Sequence, residues 1–419
     1  MSKDYIAALD IGTTKISAIV GRIGGEVVEV AGYGVCPSAG VRKGVIVDLE
    51  ATGVAVYEAL AMAEDSSGIE IRSVYAGVAG SHVECFDSYG ATGIRSKTVG
   101  ARDIDRAIES ASTVYVPIDR EVLHVLPREF AIDGQYGILR PQGMSGVRLE
   151  ANVRIITAAN SVLDNIVRCT EQASVRVVDM VFEGIASAKS VLGRHEMDSG
   201  VAVVDIGGGT TDVAVFRDGG LAHAAVIPVG GQQFTNDLAV GLRLTQDEAE
   251  RIKIQYGHVA GSLSSSAAVE AVIMDGSTVR FRAESIRNIL EPRSTELFDM
   301  VATEIRPHLF DTSGSSVVLT GGASRLRGLE RVAGAAIGIP ARVAGAKEGP
   351  SDMDAVLRED PAFSTAVGLL MYGYEKEAAD TGYVLGILGR RIKGITRFFS
   401  WGKGRGYGSR KHVLAEPGA

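Results

Sequence analysis

The sequence predicts an α/β protein built from two duplicated halves that face one another. Three observations support this. An apolar strand ending in Asp-Ile-Gly opens the chain as AALDIGTTKISAIV (residues 7–20) and returns as VAVVDIGGGTTDVAVF (201–216). After each copy come a hairpin return, a further strand and a helix. Both turns combine glycine with threonine directly after an aspartate, the composition of a loop that holds something rather than one that merely reverses the chain.

Taken in order, YIAALDIG and KISAIVGRI read as a hairpin and EVVEVAGYGVC as a third strand. LEATGVAVYEALAMAED has helical periodicity, and IRSVYAGVAG supplies another strand. Residues 85–160 differ in character, with several short strands and one helix (DIDRAIESAST), and predict a small inserted subdomain. The first half, begun at 1–84, then resumes over 161–198 and again over 361–374. The second half covers 199–231 and 313–360, with VAVVDIG, DVAVFRDG and LAHAAVIPVG as its strands and a helix from Gln232 to Leu242. Residues 232–312 predict a mostly helical second insertion. The polar run EKEAADTGY, 375–383, predicts a linker, followed by an amphipathic helix over 384–401 and a tail over 402–419. Hairpin, strand and helix twice over imply two ribonuclease-H-like halves.

At 419 residues and 46% hydrophobic, the chain can bury more than one core. Cys36, Cys85 and Cys169 are far apart, no CxxC pair occurs, and none of the seven histidines forms HExxH, so neither a disulfide framework nor a zinc site is expected. The opening MSKDYIAALD does not read as a signal peptide, and no apolar run reaches the ~18 residues of a membrane span. A reduced, cytoplasmic chain is the expectation. The net charge of −8 is uneven: from Thr381 onward eight Lys/Arg face one acid, so the body is strongly acidic. That excludes general nucleic-acid binding and sets the basic end apart.

The two loops predict a nucleotide site. Gly12, Thr13, Thr14 and Lys15 offer backbone N–H groups, hydroxyls and a cation to phosphates, and Gly207, Gly208, Gly209, Thr210 and Thr211 offer the same from the opposite side. Asp10 and Asp205 occupy equivalent strand ends, where two carboxylates facing a triphosphate suit Mg²⁺ held through water. A strand, a double glycine and a helix in VVLTGGASRLRGL place Gly321 and Gly322 against an adenosine. Glu250 and Lys253 share a helical face and fit either the same adenosine or an ordinary exposed ion pair. No GxxxxGK[ST] or GxGxxG is present, which excludes P-loop and Rossmann sites.

Together these motifs resemble the actin, Hsp70 and sugar-kinase superfamily, and more narrowly the FtsA family of bacterial cell-division proteins, to about residue 401. The resemblance is carried by GYGVCPSAGVRKGVIVDLE, VYAGVAGSHVECFDSYG, VLHVLPREFAIDGQYGI, GMSGVRLEANVRIITA, AERIKIQYG, EPRSTEL and STAVGLLMYG. The stretch Ser81–Arg154 is the most specific, because other actin-like proteins lack that subdomain in that place. The resemblance implies ATP with Mg²⁺ between the halves, at most weak ATPase activity, and head-to-tail filaments of the chain with itself. It also implies a tail of the tubulin-like protein FtsZ on the second insertion, at Arg287, Asn288, Arg293 and Glu296, and other division proteins on 85–160. Glu183 falls where polymerising relatives place a water-orienting acid; a structural acid at a helix N-terminus is the competing reading. EPRSTEL also reads as a helix start with Pro292 at an early position.

The basic end reads VLGILGRRIKGITRFFSW. Leu385, Leu388, Ile392, Ile395, Phe398 and Phe399 fall on one helical arc, Arg390 and Arg397 lie opposite, and Arg391 can snorkel from the apolar side. With Trp401 at its end this predicts a helix lying on anionic membrane lipid, with a packed core helix as the alternative. The function that follows is an ATP-binding adaptor that anchors FtsZ to the cytoplasmic face of the membrane at the division septum. A pilus-assembly adaptor and a sugar-kinase-type phosphotransferase are the other readings of the same fold.

Overall fold

The computed structural model describes residues 5–24, 27–260, 268–309, 314–347 and 354–380. β1 (Tyr5–Ile11), β2 (Lys15–Gly24) and β3 (Val27–Pro37) form an antiparallel meander. A small hairpin of β4 (Val41–Arg42) and β5 (Val45–Ile46) leads to α1 (Leu49–Ser67), whose start is fixed by the Asp48 carboxylate accepting from the Ala51 N–H. β6 (Ser73–Val78) then pairs parallel to β1.

The chain next leaves the sheet. β7 (Glu84–Gly93), α2 (Ala101–Ser112), β8 (Arg120–Ile132), β9 (Gln135–Ile138) and β10 (Arg148–Ala159) make a four-stranded sheet, order β7-β10-β8-β9, with α2 across it and a core of its own around Ile108, Phe130 and Ile155. β8 and β10 are 13 and 12 residues long, not the short strands the sequence predicts. They reach beyond their own sheet: Leu126, midway along β8, and Ile156 and Ala158, near the end of β10, belong to the core of the first half.

That half is completed by α3 (Asn160–Gln172), β11 (Arg176–Phe182), α4 (Glu183–Val191) and α5 (Arg194–Ser199), giving the strand order β11-β6-β1-β2-β3. The second half repeats it. β12 (Val201–Ile206), β13 (Thr211–Arg217) and β14 (Gly220–Ile227) form the meander, followed by α6 (Gly231–Leu242) and α7 (Gln246–Tyr256). The hairpin β15 (Ala268–Val272) and β16 (Thr278–Arg282) follows, then α8 (Ala283–Leu309), β17 (Ser316–Thr320), α9 (Leu329–Ile337), β18 (Ala341–Val343) and α10 (Ala355–Glu359). The order β14-β13-β12-β17-β18, with β12 parallel to β17 and β17 parallel to β18, is the topology of the first sheet over again. Finally α11 (Ser364–Asp380) returns to the first half and buries Val367, Leu369 and Leu370 against it.

Two expectations are corrected here. The predicted linker, 375–383, continues α11 as far as Asp380. Its charged residues are held rather than free: Lys189 pairs with Glu375 at 2.6 Å, Lys376 with Asp179, and the Tyr75 hydroxyl donates to Glu377 at 3.1 Å. Pro292 is not an early residue of its helix but lies well inside the 27-residue α8. The buried stripe Ala283, Ile286, Leu290, Ser294, Leu297, Val301 and Ile305 keeps helical spacing through the proline, so packing carries the helix past the missing N–H. Residues 381–419, including the predicted membrane residues Leu385 to Trp401, lie outside the described residues.

Candidate functional site

Strand register decides which side chains meet. In the first half Asp10 stands opposite Ser17 across β1 and β2; in the second Asp205 stands opposite Asp212 across β12 and β13. The turns that follow Asp10 and Asp205 close a cleft of about 410 Å³ between the halves. It is lined by Gly12, Thr13, Thr14 and Lys15 from one side and by Gly207, Gly208 and Thr210 from the other. A Cβ at Gly208 would come within 2.4 Å of Thr14, so glycine is what lets the second loop approach the first.

Each loop is held by its own backbone. Gly12 N–H donates to the Lys15 carbonyl at 3.0 Å and Gly207 N–H to the Thr210 carbonyl at 2.9 Å. At the start of α6, the N–H groups of Gly231 and Gln232 donate to the carbonyls of Gly207 and Gly208, fixing the second loop to that helix. Two predicted phosphate contacts fall elsewhere. The Thr211 hydroxyl is buried and donates to the Val229 carbonyl at 2.8 Å, and Gly209 packs against the Thr13 hydroxyl and the Lys43 backbone; neither lines the cleft itself.

At the far end, Glu250 and Lys253 on α7 form a 2.7 Å ion pair that lines the cleft. Lys253 also donates to the Gly231 carbonyl at 3.0 Å, and the Thr235 hydroxyl donates to Glu250. Gly321 and Gly322 face them from the end of β17. At Gly321 φ is +83° and a Cβ would stand 2.2 Å from Asp205 Oδ1, so no other residue fits there. The expected helix after the double glycine is a short 3₁₀ turn, Gly322–Arg325, before α9.

The cleft floor is acidic. Asp10 accepts from Lys15 Nζ and Ser17 Oγ, both at 3.3 Å, while Asp205 accepts from the hydroxyls of Ser187 and Thr365. Burial raises the Asp205 pKa above the ordinary carboxylate value against the pull of those hydroxyls. Burial and the neighbouring Asp205 hold Asp212 well above it, and burial with Asp10, Asp212 and Asp205 does the same for Glu183. Glu183 thus opens α4 facing the cleft, at a helix N-terminus as one reading had it, yet among three other acids. Asp212 Oδ1 is buried without a hydrogen-bond partner. Among the described residues no group of three His, Cys, Asp or Glu side chains is spaced to ligate a metal directly. Separated acids with an open acceptor suit a hydrated divalent cation instead.

Sequence reasoning passed over Asp212, although it closes the quoted DIGGGTTD and repeats the strand position of Ser17. It also passed over Arg325, inside the quoted VVLTGGASRLRGL, with its ion-pair partner Asp360, and over Phe363 and Thr365, which line the cleft from a distant part of the chain.

The partner candidates all sit on α8. Asn288 and Glu296 line a surface groove of about 820 Å³ together with Glu291, Thr295 and Asp299. Arg287 and Arg293 are outside its lining: Arg287 lies 3.6 Å from Glu291, and Arg293 pairs with Glu296 and, at 2.6 Å, with Asp237 of α6.

Two copies of one five-stranded topology, closing on a cleft with a glycine loop from each, define an actin-like protein. Among solved structures the chain is similar to the PilM–PilN type IV pilus biogenesis complex (TM-score 0.65, 18% identity, 89% of this chain and 99% of that one) and to MreB5 of Spiroplasma citri bound to ADP (TM-score 0.55, 14% identity, 91% and 99%). Within that class the chain belongs to the FtsA family of cell-division proteins. Residues 202–368 match the family model for cell division protein FtsA, and 80–157 match the SHS2 domain inserted in FtsA. FtsA of Pseudomonas aeruginosa is 39% identical over 381 residues (90% of this chain, 91% of that protein) and FtsA of Escherichia coli 36% over 394 (89% and 91%). FtsA of Bacillus subtilis is 33% identical over 375 (88% and 84%). Of the readings left open by the sequence, the comparisons favour cell division. Among the described residues no helix is long and apolar enough to cross a membrane.

Proposed function

We propose that this chain binds ATP with Mg²⁺ in the cleft between its halves and, in that state, assembles head to tail and fastens FtsZ to the cytoplasmic face of the cell membrane at the division site. The observation that carries the nucleotide reading is the pair of glycine loops that face each other across the cleft, each following a buried aspartate at an equivalent strand end. MreB5, of the same fold, was solved with ADP bound. Gly12 to Lys15 with Gly207, Gly208 and Thr210 would hold the phosphates, and Glu250, Lys253, Gly321 and Gly322 the adenosine. Asp10, Asp205 and Asp212 would hold the hydrated cation, which supplies charge neutralisation for the phosphates when bound.

Burial beside Asp10, Asp212 and Asp205 raises the Glu183 pKa well above the ordinary carboxylate value, which suits that group to exchange a proton with a water. Because one phosphate loop belongs to each half, a nucleotide that touches both fixes their relative angle, and with it the geometry of a head-to-tail contact. FtsZ's tail is assigned to the α8 face around Asn288 and Glu296, lipid to residues 384–401, and other division proteins to 85–160. The test is co-sedimentation of the full chain with anionic liposomes, with and without ATP and an FtsZ tail peptide. The reading requires lipid binding that rises with ATP and peptide pelleted only when the chain is present; the same sedimentation without ATP would remove the nucleotide's role.

A further inference from the structure

Between β3 and α1 the hairpin β4–β5 turns at Lys43 and Gly44, and its tip touches both phosphate-type loops. Gly44 N–H donates to the Thr13 hydroxyl of the first half at 3.1 Å. A Cβ at Gly209 of the second half would stand 2.9 Å from both the backbone N and the Cα of Lys43. One turn therefore spans the gap between the halves at the end of the cleft where the loops converge. Both turn residues lie at positive φ, 49° for Lys43 and 73° for Gly44. Glycine or asparagine adopts that conformation more easily than lysine, so the lysine is not explained by the turn.

Charge supplies the explanation. Lys43 is exposed, and among the described residues no acid pairs with it. The other cations around the cleft are engaged: Lys15 with Asp10 at 3.3 Å, Lys253 with Glu250 at 2.7 Å, and Arg325 with Asp360. Arg327 donates to the Gln255 carbonyl at 2.6 Å. Four acids, Asp10, Glu183, Asp205 and Asp212, line the same space, and a triphosphate would add further negative charge to it. A lysine has a flexible four-carbon stem, and one anchored beside Gly209 could reach from the cleft edge toward a phosphate held by the two loops.

We propose that Lys43 binds the terminal phosphate of the nucleotide, and that the β4–β5 tip thereby reads the difference between nucleoside tri- and diphosphate. This rests on the nucleotide-cleft reading above. The test measures ATP and ADP affinities, by calorimetry with Mg²⁺, for the full chain and for Lys43→Asn and Lys43→Arg. Asparagine keeps the left-handed turn without the cation. Losing a charge-assisted contact to phosphate lowers ATP affinity about tenfold or more, leaves ADP within about threefold, and is largely restored by arginine. Unchanged ATP affinity in Lys43→Asn overturns the inference while leaving the cleft reading intact. Equal loss of both nucleotides without rescue by arginine also overturns it, since that is the mark of a turn that only holds Thr13 and Gly209 in place. A parent chain that binds neither nucleotide removes the cleft reading first.

Discussion

His124, on β8 of the inserted subdomain, should make the fold acid-sensitive in a defined window. Its ring is 4% exposed, its Nε2 accepts a 3.0 Å hydrogen bond from the N–H of Phe182, and it packs edge-on against Tyr372 of α11. Because Nε2 must stay unprotonated to accept that bond, burial lowers the pKa from 6.5 to about 4. A pKa lowered on folding favours the neutral ring. The stability it supports is fully present above about pH 6.5 and is lost as pH falls toward 4, because there the unfolded chain binds the proton and the folded chain does not. Linkage between those two values gives a loss of about 2 kcal/mol by pH 5. His124→Gln keeps an acceptor near the Nε2 position and removes the titration. Urea unfolding at pH 7.5 and pH 5 should therefore show the parent losing about 2 kcal/mol more than the variant between the two conditions. Parallel losses in both proteins would refute the assignment, and with it the idea that this ring is locked neutral between the insert, the start of α4 and α11.

Three other outcomes follow from the same geometry. Gly208→Val places a branched side chain where only 2.4 Å separates a Cβ from Thr14, so ATP binding should fall at least a hundredfold while the far-ultraviolet circular dichroism stays at the parent level. Glu296→Arg, on the edge of the α8 groove, should weaken an FtsZ tail peptide several-fold in fluorescence anisotropy and spare ATP; it also removes the Glu296 contact of Arg293, whose pair with Asp237 keeps α8 on α6. Removing residues 384–419 should leave an ATP-binding protein that no longer pellets with anionic vesicles. Phe398→Glu alone, which costs about 2–3 kcal/mol of buried aromatic surface, should do most of the same, and Lys403→Ala little.

The duplication was legible in the sequence because each half announces itself locally: an apolar strand, an Asp-Ile-Gly turn and a hairpin return are all short-range patterns. The loops and the two leading aspartates were legible for the same reason. Asp212 was in plain view but was passed over, since its meaning depends on lying across a strand pair from Asp205. Thr365 and Phe363 were not legible at all: they reach the cleft only because α11 folds back on β1 from more than 300 residues away. The linker reading failed on composition, because Glu375, Lys376 and Glu377 look solvated until Lys189, Asp179 and Tyr75 are seen beside them. The proline of α8 misled in the same way, its neighbours outweighing its local preference.

The return of α11 also sets an order on the ribosome. Strands β1 and β2 are among the first segments to emerge, yet Val367, Leu369 and Leu370, which cover them, are made near the end. At typical bacterial elongation rates roughly 20–70 s separate the two. The second half is continuous from β12 to β18, so its strands can all pair while the first half still waits for its closing helix. The older half of the nascent chain is thus the later to finish, and the sheet that carries Asp10 spends most of synthesis with one apolar face uncovered. A chain stopped before residue 364 would leave that face open for good, whereas one stopped after 380 would emerge with it closed.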